Sequence, residues 1–189
     1  MNQAMGKFVL LTFLMVCVPF YAPAADAATM IYMTMESGKQ GALKGDSMRQ
    51  GFQDKTEVLA YSYSVSMAAS RGGRQHGPVR VTKRIGPSSP QLFQALVGNE
   101  VLRSVVIDFL ATNQSTGQEY VATTVRLGSA SVVAIDQIAG DPPSVSASAK
   151  HTSTIDAVAT EQISFTFATI EITNHDAKLS AMDSVSGRP

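Results

Sequence analysis

The stretch from His76 to Phe109 decides the fold and reads HGPVRVTKRIGPSSPQLFQALVGNEVLRSVVIDF. The segments Val79 to Arg84 and Val101 to Ala111 are rich in residues that favour β-strands, above all Val and Ile. The segment between them has apolar residues at helical spacing. The stretch therefore predicts a strand, a short helix and a second strand in close succession.

The predicted helix covers about residues 89–98. Ser89 is a good N-cap, Pro90 suits the first helical position, and Gly98 suits the position just past the end. The apolar residues between them form one stripe, made of Leu92, Phe93, Leu96 and Val97. A short helix with a single apolar stripe has to lie on a sheet or close the end of a barrel.

Strand patterns continue on both sides of this stretch. Between Glu57 and Met67, alternate positions share one apolar face, namely Leu59, Tyr61, Tyr63, Val65 and Met67. Further strands are predicted at Met30–Met35, Glu119–Leu127, Ser129–Ile138 and Glu161–Thr173. In the last of these the apolar residues change from odd-numbered to even-numbered positions, which indicates a bulge near Ala168. The predicted fold is mainly β, a two-sheet β-barrel or sandwich of about seven to nine strands with one short α-helix.

Four segments lack such patterns. Residues 36–56 and 68–78 are predicted to be long irregular loops, which in small domains are usually functional or loosely ordered. Residues 144–154 form a third predicted loop, rich in Ser, Ala and Thr. Residues 176–189 are predicted to be a flexible C-terminal tail.

The composition limits the classes of function. The chain of 189 residues has 15 Lys plus Arg and 15 Asp plus Glu, so its formal net charge is zero. This balance excludes a charged disordered protein and leads us to expect no nucleic-acid partner. Three His and one Cys cannot build a zinc finger or a disulfide framework, and no nucleotide-binding glycine pattern occurs. We therefore expect no metal and no cofactor.

The first 27 residues have the order of a secretory signal peptide. Lys7 supplies the positive region, Phe8 to Phe20 the apolar stretch, and Ala25-Asp26-Ala27 the cleavage pattern. The apolar stretch is too short to span a bilayer, so we expect no stable membrane insertion. Cleavage near Ala27 would leave a β domain at 28–175 and the tail, located in the periplasm or outside the cell. Alternatively, translation starts at Met30 and the product is cytoplasmic.

Motifs for catalysis are weak. Gly45-Asp46-Ser47-Met48 is similar to the nucleophile block of GDS-type esterases, but no Asp lies three positions before any His to help activate that Ser. A polar turn is the better interpretation, so we predict no catalytic residue and no enzyme. Tyr61 and Tyr63 are likewise better explained as sheet core than as a stacking platform for bases or sugars.

Charge is sorted along the chain. Between Val58 and Asn99 every charged residue is basic: Arg71, Arg74, Arg80, Lys83 and Arg84. From Ala134 to the end, acidic residues outnumber basic ones. Either these two regions neutralise each other within one monomer, or the basic loop of one copy meets the acidic surface of the next, head to tail.

The segment from His76 to Phe109 closely resembles the haemolysin-coregulated protein (Hcp) family of type VI secretion. That family has a similar H-x-P-x-x-x-T-K strand followed by a Ser-Ser/Thr-Pro helix start. The structural positions of this motif are here Gly77, Pro78, Thr82, Lys83, Ser89 and Pro90. The resemblance continues in GDSMRQGFQDKTEVLAYSYSVS and in TEQISFTFATIEIT, and covers nearly all of residues 30–173 in the same motif order.

The resemblance implies a two-sheet β-barrel with one short helix and no catalytic centre. It also implies homo-hexameric rings that stack into a secreted inner tube, with a spike protein, sheath components and effector proteins in the lumen as partners. The loop from about Met67 to Pro78 is the implied ring-stacking element. Arg71, Arg74 and His76 are the implied contact residues of that loop.

The predicted leader departs from the family pattern. Tube-forming members are made in the cytoplasm and carry no signal peptide. Either translation of this chain starts at Met30, or the chain is an exported Hcp-like ring or binding module that is not part of a contractile tube.

Overall fold

The computed structural model describes residues 30–67, 73–139 and 159–185. The predicted mainly β fold with one short helix is confirmed there, although with more strands than expected. The predicted signal peptide, Arg71 and the loop at 144–154 lie outside the described residues. The elements are β1 (Met30–Ser37), β2 (Gly41–Ala42), β3 (Thr56–Ser62), β4 (Val65–Met67), β5 (Arg74–His76), β6 (Val79–Arg84), α1 (Ser88–Val97), β7 (Val101–Thr112), β8 (Glu119–Ile138), β9 (Thr160–Thr166), β10 (Thr169–Asn174) and β11 (Leu179–Ser184).

Six strands close into a barrel in the order β8, β7, β1, β3, β6 and β9, and the ladder between β9 and β8 completes the circle. The length of β8 allows this closure, because its first half pairs with β10 and its second half with β9. Ser129, with a φ of 48°, lies between the two halves. The two strands predicted on either side of this point are therefore one strand, with a different partner for each half.

The strand predicted at Glu161–Thr173 is in fact two strands. β9 ends at Thr166, β10 begins at Thr169, and the Ala168 N–H between them donates to the Gly128 carbonyl at 3.1 Å. The predicted bulge near Ala168 is thus a break, where the chain moves from one half of β8 to the other. Gly128 permits this close crossing, because a Cβ there would collide with Oγ1 of Thr169.

β10 and β11 form a C-terminal hairpin that extends the sheet beyond the barrel. Its ladder runs from the pair Thr169 and Ser184 to the pair Asn174 and Leu179. The prediction of a flexible tail from Asp176 is therefore wrong for residues 179–184. The sequence LSAMDS has low strand propensity by itself, and pairing with β10 supplies the hydrogen bonds that hold it extended.

A bulge divides the alternating face that was predicted between Glu57 and Met67. The register of β3 against β6 shifts between Val58 and Ala60, so Val58 is buried and Leu59 is exposed. After the bulge Tyr61 and Tyr63 turn inward and pack against the core, as predicted. A bulge changes which face receives alternate residues, which explains why Leu59 does not share the face of the two tyrosines.

The helix begins one residue earlier than predicted and is capped differently. Pro87 occupies the N-cap position, so Ser89 and Pro90 lie inside the first turn, while Gly98 follows the helix end as predicted. Leu92 and Ala95 are buried beneath the helix. Phe93 and Val97, predicted to belong to the inward stripe, are 58% and 61% exposed.

The core fills the interior of the barrel and the space beneath the helix. Its largest fully buried apolar side chains are Met33, Met35, Leu92, Leu102, Ile107, Leu127, Ile163 and Phe165. Within the described ranges no helix combines the length and hydropathy needed to cross a membrane.

Candidate functional site

The loop that the family resemblance assigns to ring stacking contains a small hairpin, β4 and β5. Val65 pairs with His76 and Met67 pairs with Arg74 in a sheet separate from the barrel sheet. The apolar side chains of Val65 and Met67 are 53% and 68% exposed. At the hairpin base the Gly77 N–H donates to the Ser64 carbonyl at 2.9 Å. An added Cβ at Gly77 would lie 2.6 Å from Oγ of Ser64, so a larger residue there would force that hydroxyl to move.

Four side chains connect this hairpin to the C-terminal hairpin, and we call them the clasp: Tyr63, Arg74, His76 and Asp183. The Asp183 carboxylate lies 2.9 Å from Arg74 Nε and 3.3 Å from His76 Nε2. Nδ1 of His76 lies 2.6 Å from the Tyr63 hydroxyl, so both ring nitrogens have a partner. Burial raises the pKa of Tyr63, and the negative charge of Asp183 raises it further.

The clasp determines where two of the predicted stacking residues lie. Arg74 has a side chain that is 61% exposed and that contacts Asp183 of its own chain. The side chain of His76 is only 7% exposed and lies between Tyr63 and Asp183. Arg74 therefore remains accessible at the surface, whereas His76 lies inside the junction of the two hairpins.

Two of the family-motif residues belong to a buried polar network at the seam between β6 and β9. Lys83 lies directly opposite Glu161 in the ladder, and Nζ of Lys83 is 2.6 Å from Oε1 of Glu161. The Ser89 hydroxyl donates to the same carboxylate oxygen at 2.6 Å and accepts from Lys83 at 3.1 Å. The amide of Gln137 on β8 donates to the other oxygen at 2.8 Å. The network therefore connects β6, β8, β9 and the helix.

The Lys83–Glu161 pair is almost completely removed from solvent. Its side chains are 1% and 0% exposed. Burial by itself would raise the pKa of Glu161, but the hydrogen bonds from Lys83, Ser89 and Gln137, together with the Lys83 charge, outweigh it and lower that pKa. The carboxylate is thus held ionised at the barrel seam. Ser89, predicted as a helix cap, acts here as the bridge between the helix and the seam.

A second polar network, not identified from the sequence, lies at the other end of the helix. The Glu100 carboxylate accepts hydrogen bonds from the Ser37 hydroxyl, from the Gln40 amide at 3.0 Å and from the Lys39 N–H at 2.8 Å. The Ser37 and Gln40 side-chain bonds are the main reason that the pKa of Glu100 falls to about 2. These contacts hold the turn between β1 and β2 against the start of β7.

The structure favours neutralisation within one monomer for much of the sorted charge. Arg74 pairs with Asp183 and Lys83 pairs with Glu161, so two residues of the basic run contact the acidic last third of the same chain. Arg84 lies 3.9 Å from Glu57. Among the described residues, Arg80 has no carboxylate within 4.0 Å.

Ser47 lies in the irregular segment between β2 and β3, just before the turn at Gln50 and Gly51. Its hydroxyl accepts from the Arg49 N–H at 3.3 Å, and its carbonyl accepts from the Asp54 N–H at 3.0 Å. The backbone at Gly45 lies very close to the backbone of Lys55. A side chain at position 45 would collide with the Lys55 carbonyl group, and glycine avoids this. The Gly45-Asp46-Ser47 segment therefore packs closely against the backbone at Asp54 and Lys55. No group of three or more metal-ligating side chains occurs in residues 30–67, 73–139 and 159–185.

A pocket of about 220 Å³ lies next to the clasp. It is smaller than the sites that usually hold small-molecule ligands, and most of its wall is apolar. Its lining residues are His76, Gly77, Pro78, Val133, Thr166, Phe167 and Val185. The clasp and the buried network thus position strands relative to one another.

Comparisons with known proteins give a consistent result. A sequence profile described as "Type VI secretion system effector, Hcp" matches residues 32–174. The "Major exported protein" of Pseudomonas aeruginosa is 30% identical over 113 residues, a match that covers 52% of this chain and 66% of that relative, just under two thirds of its length.

Solved structures show the same fold at low sequence identity. A crystal structure of an Hcp protein superposes with a TM-score of 0.73 at 20% identity, covering 85% of this chain and 100% of the other. The secreted protein Hcp3 from Pseudomonas aeruginosa gives a TM-score of 0.69 at 24% identity, with coverages of 85% and 100%. Hcp1 from E. coli EAEC 042 gives 0.69 at 22% identity, with coverages of 82% and 98%.

Proposed function

This chain belongs to the Hcp family of type VI secretion, and on that basis we propose that it is a non-enzymatic structural subunit that forms hexameric rings and stacks them into a secreted tube. The observation that carries the proposal is the family match over residues 32–174, which includes the helix and, except for the first two residues of β1, all six barrel strands. The polar networks at the barrel seam and at the helix end support it, because they give a rigid wall rather than a reacting centre.

Exposed apolar side chains on several elements, including the following two groups, support self-assembly. One group lies on the helix and the strand after it: Phe93, Val97 and Val101. The other lies on the two hairpins: Val65, Met67, Leu179 and Met182. Self-assembly into rings that also stack needs more than one contact surface on each copy, and exposed apolar groups are typical of such surfaces.

Native mass spectrometry of the full chain tests ring formation. We expect a six-copy species for the wild-type protein and a shift to smaller species for Phe93→Asp, because a charge would be buried in the contact. Gln94→Asp is the matched control, since Gln94 is also exposed on the same helix but is polar. A strict monomer at high protein concentration would contradict the proposal.

The proposed partners follow from the proposed tube. We propose that a spike protein, sheath components and effector proteins in the lumen associate with the rings. A pull-down from the native host should recover spike and sheath components together with this chain. Recovery of the chain with none of them would argue against a role in a contractile tube.

A second candidate function rests on the N-terminal pattern of Lys7, Phe8 to Phe20 and Ala25-Asp26-Ala27. We propose as the alternative an exported Hcp-like ring or binding module that works in the periplasm or outside the cell. N-terminal sequencing of the native protein separates the two. A start at about Ala28 supports export through a membrane channel. A start at Met30, or an intact leader, supports the cytoplasmic tube subunit.

A further inference from the structure

Asp183 lies beyond the segment that the family profile matches, yet it contacts the hairpin that the family resemblance assigns to ring stacking. We propose that Asp183 is a positioning residue, which holds the β4–β5 hairpin in the orientation that it presents to the neighbouring ring. This inference rests on the proposed function, because it adds a control point to the same stacking contact.

One carboxylate holds β5 at both ends. Arg74 and His76 are the first and last residues of β5, and both of their side chains reach the carboxylate of Asp183, at 2.9 and 3.3 Å. Two contacts to one strand fix its direction as well as its distance. A single contact would leave the strand free to rotate about that point.

His76 is also held on the side of its ring that faces away from Asp183. The Tyr63 hydroxyl lies 2.6 Å from Nδ1 of His76, and the ring of Phe167 meets the imidazole edge-to-face with 5.9 Å between ring centroids. Only 7% of the His76 side chain is exposed. The imidazole therefore transmits the position of β11 to β5 with little freedom of its own.

Apart from the clasp and the backbone bond from Gly77 to Ser64 at its base, the β4–β5 hairpin has few contacts among the described residues that fix its orientation. Its ladder has three residue pairs, and within the described ranges its strands pair only with each other. An isolated two-stranded hairpin is marginally stable in water, and the exposed Val65 and Met67 contribute little burial. The orientation of the hairpin thus depends on the clasp.

The backbone at Asp183 is itself well fixed. β11 pairs with β10 along its whole length, and the Val185 N–H just after it donates to the Ala168 carbonyl at 2.8 Å. Because β10 pairs with β8 of the barrel, the clasp connects the hairpin to the barrel wall. Asp183 can therefore control stacking without contacting the neighbouring ring.

Amide hydrogen exchange of the full-length chain tests the positioning step directly. We expect Asp183→Asn to accelerate exchange of the amides at 65–67 and 74–76 about five- to tenfold, with barrel amides unchanged. Glu171→Gln is the matched control, because Glu171 lies on the same C-terminal hairpin and has no ion pair among the described residues. Unchanged exchange at the β4–β5 hairpin in Asp183→Asn would overturn the inference.

A second variant separates positioning from general damage. Arg74→Gln should give a similar acceleration, and the double variant Arg74→Gln with Asp183→Asn should be no worse than the more affected single variant, since both remove parts of one contact. Fully additive effects of the two substitutions would contradict a shared clasp. Faster exchange in β6 or β7 as well would show a general loss of structure and would also overturn it.

The assembly readout distinguishes this inference from the proposed function. In Asp183→Asn we expect six-copy rings to persist in native mass spectrometry, while the stacked fraction in electron micrographs falls at least severalfold. Normal stacking despite a loosened hairpin would overturn the control of stacking. Absence of rings in the wild-type chain would overturn the proposed function. The exchange data alone would then test whether Asp183 holds the β4–β5 hairpin.

Discussion

The barrel seam and the hairpin clasp both join the middle of the chain to its last third through a cation and a carboxylate, but in very different surroundings. At the seam, Lys83 and Glu161 are 1% and 0% exposed and share further hydrogen bonds with Ser89 and Gln137. At the clasp, Arg74 and Asp183 are 61% and 25% exposed.

The difference in exposure gives the two contacts different roles. A buried ion pair cannot lose one partner without leaving an unpaired charge in the interior, so the seam behaves as a permanent closure of the barrel. The Arg74–Asp183 pair is more exposed and contributes little to overall stability because water and salt screen it, so we expect its main effect to be on local orientation. The molecule thus combines a buried closure of the barrel with a more exposed contact that orients a hairpin.

The largest expected effect is at the seam. Glu161→Ala should lower the free energy of unfolding by about 3–5 kcal/mol, because it leaves the Lys83 ammonium buried without a counter-charge. Urea denaturation measures this change. Glu171→Ala is the control and should change stability by less than about 0.5 kcal/mol. A loss below about 1 kcal/mol for Glu161→Ala would show that the seam is not a buried charge contact.

A smaller effect is expected from the hydroxyl that bridges the seam and the helix. Ser89→Ala removes the donor to Glu161 and the acceptor for the Gly86 N–H, and should cost about 1–3 kcal/mol. Ser66→Ala, on the exposed hairpin strand, is the control and should be nearly neutral. An equal loss of unfolding free energy for the two substitutions in urea denaturation would contradict a special role of Ser89 at the barrel seam.

The carboxylate of Glu100 should also make the free energy of unfolding depend on pH. Glu100 has a folded pKa of about 2 against an ordinary value of 4.5, so its contribution is fully present above pH 4.5 and is lost as the pH falls towards 2. Glu100→Gln should therefore flatten the decline of stability between these pH values. Urea denaturation at a series of pH values measures the free energy of unfolding. The same loss of stability on acidification in the wild type and the variant would contradict the lowered pKa of Glu100.

The smallest effect on global stability is expected at the clasp. Arg74→Gln should change the free energy of unfolding by less than about 1 kcal/mol, because the Arg74 side chain is largely exposed. The same variant should still loosen the hairpin in hydrogen exchange. A global loss as large as that of Glu161→Ala would show that the two contacts are not different in kind.

The local parts of the fold could be predicted from the sequence. β6 has the predicted bounds, and the helix, with Gly98 after its end, differs from the prediction by one residue at its start. These features could be predicted because they depend on residues that are close together in the sequence. The inward face of the helix was harder to predict, because Phe93 and Val97 continue the apolar spacing although they face solvent.

The long-range contacts could not be predicted, since they depend on the pairing of distant strands. Lys83 meets Glu161 only because β6 pairs with β9 in one particular register. His76 and Asp183 meet because β11 forms, although its six residues have little strand propensity of their own. A one-residue shift in either ladder would remove these contacts.

Negative-stain electron microscopy of the purified full chain tests the central proposal most directly. A subunit that repeats around an axis should appear as annuli, and at high protein concentration as stacked tubes. We predict both for the wild type, and annuli with few stacks for Asp183→Asn. Isolated single particles at every protein concentration and in every buffer would contradict the proposed ring.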